Sequence, residues 1–284
     1  MIKKYLLVLS FCFFGMASFA QDENGLDSPV NDIFASPMNI DNQTTVKGFK
    51  GSKLMFIQHR FTDKIEKYDN LFGLYGSSNI RMAFSYGITD KFTFTFGTEK
   101  ARMLQEFAGK YIIFEQSGKM PVSLAAYANM TIDGRSTSLF GNDYKFIDRM
   151  SYFAQAIVSR KFSDRISFEA GGSFIHFNKV ELSSDGKNPA YSHNSIGVMA
   201  GGRAKVYNEI ALIAEYSQVF RMETFTAQVA PKPDIAFGIE FGTGTHAFQI
   251  FASTCSSLSP QYNYVFNQKE LKDLMLGFNI TVRM

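Results

Sequence analysis

Cysteine is nearly absent from this sequence, with two among 284 residues. Cys12 lies in the first apolar run, so a chain cleaved behind Ala20 keeps only Cys255. An intrachain disulfide is then excluded, and with it a disulfide-stapled secreted scaffold. Downstream of residue 20 no stretch approaches the roughly 18 uninterrupted apolar residues of a membrane-spanning helix. That leaves open the one membrane architecture built from short alternating strands. A charge excess is also missing. Removing Lys3 and Lys4 leaves 27 basic against 26 acidic residues, which argues against nucleic acid and against polybasic attachment to a membrane surface. His59, His176, His193 and His246 are too widely spaced for a metal signature. Asp63, Glu66 and Asp69 lack the spacing of a calcium loop. Gly171-Gly172 and Gly201-Gly202 open no helix and so are not nucleotide loops.

What is present begins with Met1-Ile2-Lys3-Lys4, an apolar run from Tyr5 to Met16, and Ala17-Ser18-Phe19-Ala20 before polar residues. This pattern predicts a signal peptide over 1–20 and export. Residues 21–50 are rich in Asp and Asn and carry Pro29 and Pro37, which predicts an extended arm, either a periplasmic tail or a plug inside a barrel.

From residue 51 onward the sequence alternates. In 79–88 every even position is large and apolar, while the odd ones are Asn, Arg, Ala, Ser and Gly. After Thr89-Asp90 the pattern resumes with Phe92, Phe94 and Phe96 against Thr93, Thr95 and Gly97. Period two means strand, and one bulky wall against one small or polar wall suits lipid outside and a lumen inside. The same device recurs at 54–61, 107–116, 121–132, 151–162, 165–177, 194–206, 208–218, 234–242, 245–254 and 274–284. The phase is ambiguous at 107–116, where Ile112 and Phe114 are also apolar. Links between strands are expected to alternate strictly between short and long, as in outer-membrane barrels and unlike a Greek-key sandwich. The prediction for 51–284 is an all-β transmembrane antiparallel up-and-down β-barrel of about 12 strands.

The segments Phe56-Ile57-Gln58-His59-Arg60-Phe61, Asn70-Leu71-Phe72-Gly73-Leu74, Ser78-Asn79-Ile80-Arg81, Tyr86-Gly87-Ile88-Thr89, Gly109-Lys110-Tyr111 and Met120-Pro121-Val122-Ser123-Leu124 resemble an uncharacterised outer-membrane β-barrel family, domain of unknown function 5777. The resemblance covers about 45–284. It implies a Gram-negative outer membrane and brings no catalytic residues with it.

The lumen-facing charges expected from the alternation are Arg60, Arg81, Glu169, Arg203, Lys205, Glu215, Glu240 and Arg283, with Lys110, Lys161 and Glu209 beside them. Their slight excess of cations favours anionic solutes. No catalytic residue, cofactor or metal is expected. The functional expectation is a narrow channel or transporter for small solutes in the outer membrane, inserted by the barrel-assembly machinery. The alternative is a non-conducting envelope barrel that binds partners through loops 133–149 and 255–273. A third reading, a lipid hydrolase, rests on His193 and Ser195, two apart on one strand face. Against it, Ser195 faces the lumen and no third residue orients His193.

Overall fold

The computed structural model describes residues 28–30, 32–65, 70–71, 73–184 and 186–284. The predicted signal peptide and residues 21–27 of the arm lie outside the described residues.

Twelve antiparallel strands close into a barrel in which each pairs with its neighbours in sequence. They are β1 (Lys53–Phe61), β2 (Ser78–Gly87), β3 (Phe92–Glu99), β4 (Leu104–Phe114), β5 (Ser123–Ile132), β6 (Met150–Lys161), β7 (Ile166–Phe177), β8 (Asn194–Tyr207), β9 (Ile210–Arg221), β10 (Asp234–Gly242), β11 (His246–Ser253) and β12 (Met275–Arg283). The ring is sealed where β1 meets β12, in a register running from Leu54↔Arg283 to Arg60↔Gly277. Closure leaves no unpaired strand edge, the condition for strands to cross a bilayer.

The alternation read from the sequence sets which way each side chain points. On β2 and β3, Met82, Phe84, Tyr86, Phe94 and Phe96 are exposed on the outer wall, while Arg81, Ser85 and Thr93 are buried inside. The ambiguous strand resolves the same way, with Tyr111 and Ile113 outside and Lys110 and Ile112 inside. Tyr86 and Phe241 stand exposed at the rim of the tight turns and Tyr216 towards the opposite rim, the positions an aromatic girdle occupies.

The expected strict alternation of link lengths fails at one place. Between β3 and β4 only residues 100–103 intervene, where a long link over 98–106 is expected. Gln105 and Glu106 read as loop because they are polar, yet they belong to β4, and Glu106 points into the lumen. The reversal is a 3-10 turn, Ala101–Met103, made tight by left-handed backbone at Arg102 (φ 57°) and Met103 (φ 50°).

Gly238 shows how closely the inner wall is packed. A Cβ there would collide with the Ile250 carbonyl oxygen and with the Phe251 Cβ, and would lie 2.6 Å from the Phe251 Cα. Two of those atoms are backbone of the paired strand and cannot rotate away. Gly238→Ala is therefore expected to destabilise the barrel by about 1–3 kcal/mol, read as a lower denaturant midpoint of the refolded protein.

Candidate functional site

The lumen is filled from both ends. From the rim of the tight turns, residues 32–50 enter as a re-entrant hairpin. Its stem starts where Val30 N donates to Gln116 O (2.7 Å) and ends where Lys47 pairs with Glu115 (2.7 Å) and Lys50 N donates to Asp90 Oδ1 (3.0 Å). Between these points the chain reverses, with Thr44 N bonded to Pro37 O (2.9 Å) and Asn39 N to Asn42 O (3.0 Å). Asn and Asp favour such a reversal because their short side chains hydrogen-bond locally. The apex, Asn39-Ile40-Asp41-Asn42, is buried deep in the barrel.

From the opposite rim, the link between β11 and β12 folds inward and carries a short helix, α1 (Pro260–Phe266). Pro260 presets the first helical φ without losing a needed donor. Ser259 at the N-cap gives its hydroxyl to Glu99 Oε2 (2.7 Å) instead of capping the helix. Tyr262, Tyr264 and Val265 pack on Leu104, Tyr127, Phe153, Ile157, Ile175, Phe177, Met199 and Val219 of the inner wall. The two insertions meet where Tyr264 OH donates to Asn42 Oδ1 (2.7 Å).

Each insertion is gripped by wall side chains. Glu215 Oε2 accepts from Ile40 N (2.9 Å) and Asp41 N (3.2 Å), and its Oε1 accepts from Asn42 Nδ2. Lys110 Nζ donates to the stem carbonyls of Pro37 (2.9 Å) and Thr44 (3.1 Å). Arg60, fully buried, donates to Asp41 Oδ1 (2.7 Å) and to Asn279 Oδ1 (3.0 Å), and lies 4.3 Å above the Phe251 ring. Glu99, at the end of β3, accepts from Asn79 Nδ2 (2.7 Å), Leu258 N (3.1 Å) and Ser259 N (2.9 Å) as well as the Ser259 hydroxyl.

The remaining expected lumen charges fall in two groups. Arg81 bonds Glu106 (2.6 Å) and Gln58 (2.6 Å), and Arg203 bonds Glu240 (2.6 Å), which also accepts from Gln249 (3.0 Å). Glu169 is buried with neither carboxylate oxygen hydrogen-bonded. Lys205 and Arg283 stand half-buried at the tight-turn rim. Lys205 pairs there with Glu209 (3.3 Å), and Arg283 donates to the carbonyls of Thr243 (3.3 Å) and Ala35.

Among the fully buried strand charges acids outnumber bases, while Lys161, Lys205, Arg221 and Arg283 hold the inward phase half-buried near strand ends. On the strands the buried acids are Glu99, Glu106, Glu169, Glu215, Asp234 and Glu240, and the buried bases are Arg60, Arg81, Lys110 and Arg203. Glu99, Glu106 and Asp234 lie in the inward phase of their strands but close to strand ends, where charge reads as loop.

Asp41, Glu215 and Asp234 bring three buried carboxylates together, with one oxygen of each within 4.8 Å of the others. His193 and Ser195 do not form a dyad. His193 Nδ1 bonds the Phe177 carbonyl (2.8 Å), and the buried Ser195 Oγ has no hydrogen-bond partner.

Two cavities of about 10 and 20 Å³ border the hairpin, both lined by Met38, Gln43, Arg81 and Tyr127, the smaller reaching Phe153 of β6 and Pro260 of the α1 link. Above α1, at the rim of the long links, opens a cavity of about 500 Å³ with Arg102, Asp133, Arg135, Arg149, Tyr262 and Phe266 on its walls. Hydrogen bonding to the Asp133 carboxylate raises the pKa of the Arg135 guanidinium above its usual value, against the opposing effect of burial.

A family model described as a membrane bound beta barrel domain matches residues 34–283, a span that takes in most of the hairpin and all twelve strands. Among solved structures, an outer membrane channel from Pseudomonas putida F1 superposes with a TM-score of 0.53 at 12% identity, over 86% of this chain and 100% of that one. The KdgM porin gives 0.48 at 7% identity over 81% and 98%. The toluene transporter TbuX of Ralstonia pickettii gives 0.41 at 11% identity over 95% and 98%. No curated protein matches the sequence. At 12% identity the likeness to the Pseudomonas channel is one of fold.

Proposed function

The chain belongs to the DUF5777 family of membrane-bound β-barrel domains, and from that premise we propose an outer-membrane channel for small polar solutes, held closed by the hairpin and α1. Export by the signal peptide and insertion by the barrel-assembly machinery complete this reading. The observation that carries it is the chemistry of the inner wall. A belt of Gln58, Arg60, Arg81, Glu106, Asn129, Gln155, Glu169, Arg203, Glu240, Gln249 and Asn279 lines the lumen. The polar part of the wall, against which the hairpin lies, remains stable against water once the hairpin leaves, because water satisfies what it satisfies now.

The insertions themselves are separable from the barrel. The hairpin's one isolated β-bridge, Met38↔Gln43, is internal to it, so it adds no strand to the wall. Side chains hold it, and they release without breaking a ladder.

A second reading, a non-conducting scaffold for partners at 133–149 and 255–273, draws support from the apolar seat of α1. Planar-bilayer recording of refolded residues 21–284 and of the same protein lacking 34–45 and carrying Glu99→Ala, which removes the main polar anchor of α1, separates the two. The channel reading expects little current from the first and steady steps from the second. A folded hairpin-less barrel that stays silent supports the scaffold.

A further inference from the structure

Asp41 at the hairpin apex, Glu215 on β9 and Asp234 at the start of β10 have a shortage of neutralising charge. Arg60 reaches Asp41 Oδ1, and among the described residues no ion pair brings a cation to Glu215 or Asp234. Asp234 Oδ1 accepts from the hydroxyls of Ser253 (3.2 Å) and Thr254 (3.0 Å), and Glu215 accepts from the hairpin apex, all of them neutral donors. A second observation points inward to the same spot. Asp41 is 5% exposed, its Oδ1 is taken by Arg60, and Oδ2 of this same carboxylate, which lies beside Glu215 and Asp234, is buried with no hydrogen-bond partner. Three carboxylates at this spacing repel strongly out of water, and an orphaned oxygen adds its own desolvation cost. A cation between them removes both penalties.

We propose that Asp41, Glu215 and Asp234 form a divalent-cation site, best suited to calcium. The donors are all carboxylate oxygens, which fit a hard cation, and the flexible coordination of calcium tolerates ligands drawn from one hairpin and two strands. The absence of nitrogen or sulfur donors disfavours zinc. The ion bolts the hairpin apex to β9 and β10, supplying charge compensation that side chains alone leave incomplete. This is a binding property of the filled barrel and goes beyond the channel reading, since it holds whether or not the lumen conducts.

The test refolds residues 21–284 with calcium or with EDTA and compares calorimetric titration with thermal unfolding. The expected result is one calcium per chain and a higher Tm in calcium than in EDTA. Asp234→Asn keeps shape and volume but lowers the ligand charge, so its calcium affinity should fall about tenfold or more. Asp41→Asn should do the same if Asp234→Asn folds poorly. Glu209→Gln, at the tight-turn rim, should bind like the parent. Absence of calcium binding by the folded protein would overturn the site. So would an equal Tm rise in Asp234→Asn, or a stability that follows pH and ignores calcium, which would mean that the carboxylates share protons instead.

Discussion

Replacing Glu99 by alanine should lift α1 out of the lumen while leaving the strand ladder in place. The carboxylate receives four hydrogen bonds, three of them from Leu258 and Ser259 of the inserted link and the fourth from Asn79. Its removal leaves the Leu258 and Ser259 amides in a dry site without an acceptor. A buried donor left unsatisfied costs about 1–3 kcal/mol, so the loss of docking should be at least about 3 kcal/mol for the group. At about 1.4 kcal/mol per factor of ten, that is more than a hundredfold in the population of the lifted link. Limited proteolysis reads it directly, as faster cleavage within 254–274 at unchanged barrel integrity. Glu99→Gln keeps one acceptor oxygen and should fall between. An unchanged cleavage rate in Glu99→Ala would mean that the apolar seat of α1, and not the carboxylate, holds the link.

Arg60→Ala should be the most damaging change at the other insertion. The side chain is fully buried, pairs with Asp41, bonds Asn279 and stacks on Phe251. With calcium chelated by EDTA, truncation strands Asp41 beside Glu215 and Asp234 with no counter-charge, and breaking a buried pair from one side costs about 3–5 kcal/mol. Denaturant unfolding of the refolded barrel should show a loss of that size. Arg60→Lys should recover only part of it, since an ammonium cannot serve Asp41, Asn279 and the Phe251 face together. The double variant Arg60→Ala with Asp41→Asn should be more stable than Arg60→Ala alone, because the stranded charge is gone. Were the double variant less stable than the single, the damage would come from lost packing on Phe251.

Much of the barrel is legible in the sequence because period two is a property of each strand by itself. Tyr111 and Ile113 go outward and Lys110 inward without help from distant residues. The charged belt follows from the same phase, and Arg60, Arg81, Glu169, Arg203, Glu215 and Glu240 are all buried inside. Charges near strand ends are harder, since polarity there marks both a loop and a lumen. Glu106 and Asp234 are the cases in point. The alternation of Ile235, Phe237, Ile239 and Phe241 outward already places Asp234 on the inward side.

What fills the lumen is less legible, although traces exist. Phe153, Ile157, Ile175 and Met199 occupy inward positions, where a wet channel would have polar side chains. Tyr262, Tyr264, Val265 and Phe266 crowd aromatic and apolar groups into a link that would otherwise be solvated. Taken together, an apolar patch inside and an apolar cluster in a link are the two halves of one contact. The carboxylate triad has no such trace. Its members come from the hairpin, β9 and β10, and only closure of the ring brings them together.

The sparseness of cysteine gives the molecule a thiol clock. Cys255, the free cysteine among the described residues, is buried on the link that carries α1, its backbone N–H bonded to Ser253 Oγ (3.0 Å). A water-soluble maleimide meets it only during excursions in which the link leaves its seat. When reseating outpaces alkylation, the reaction rate divided by that of an unstructured thiol is the equilibrium constant of the excursion. The native protein thus carries its own gauge of how often its long-link side stands open, with no reporter residue introduced.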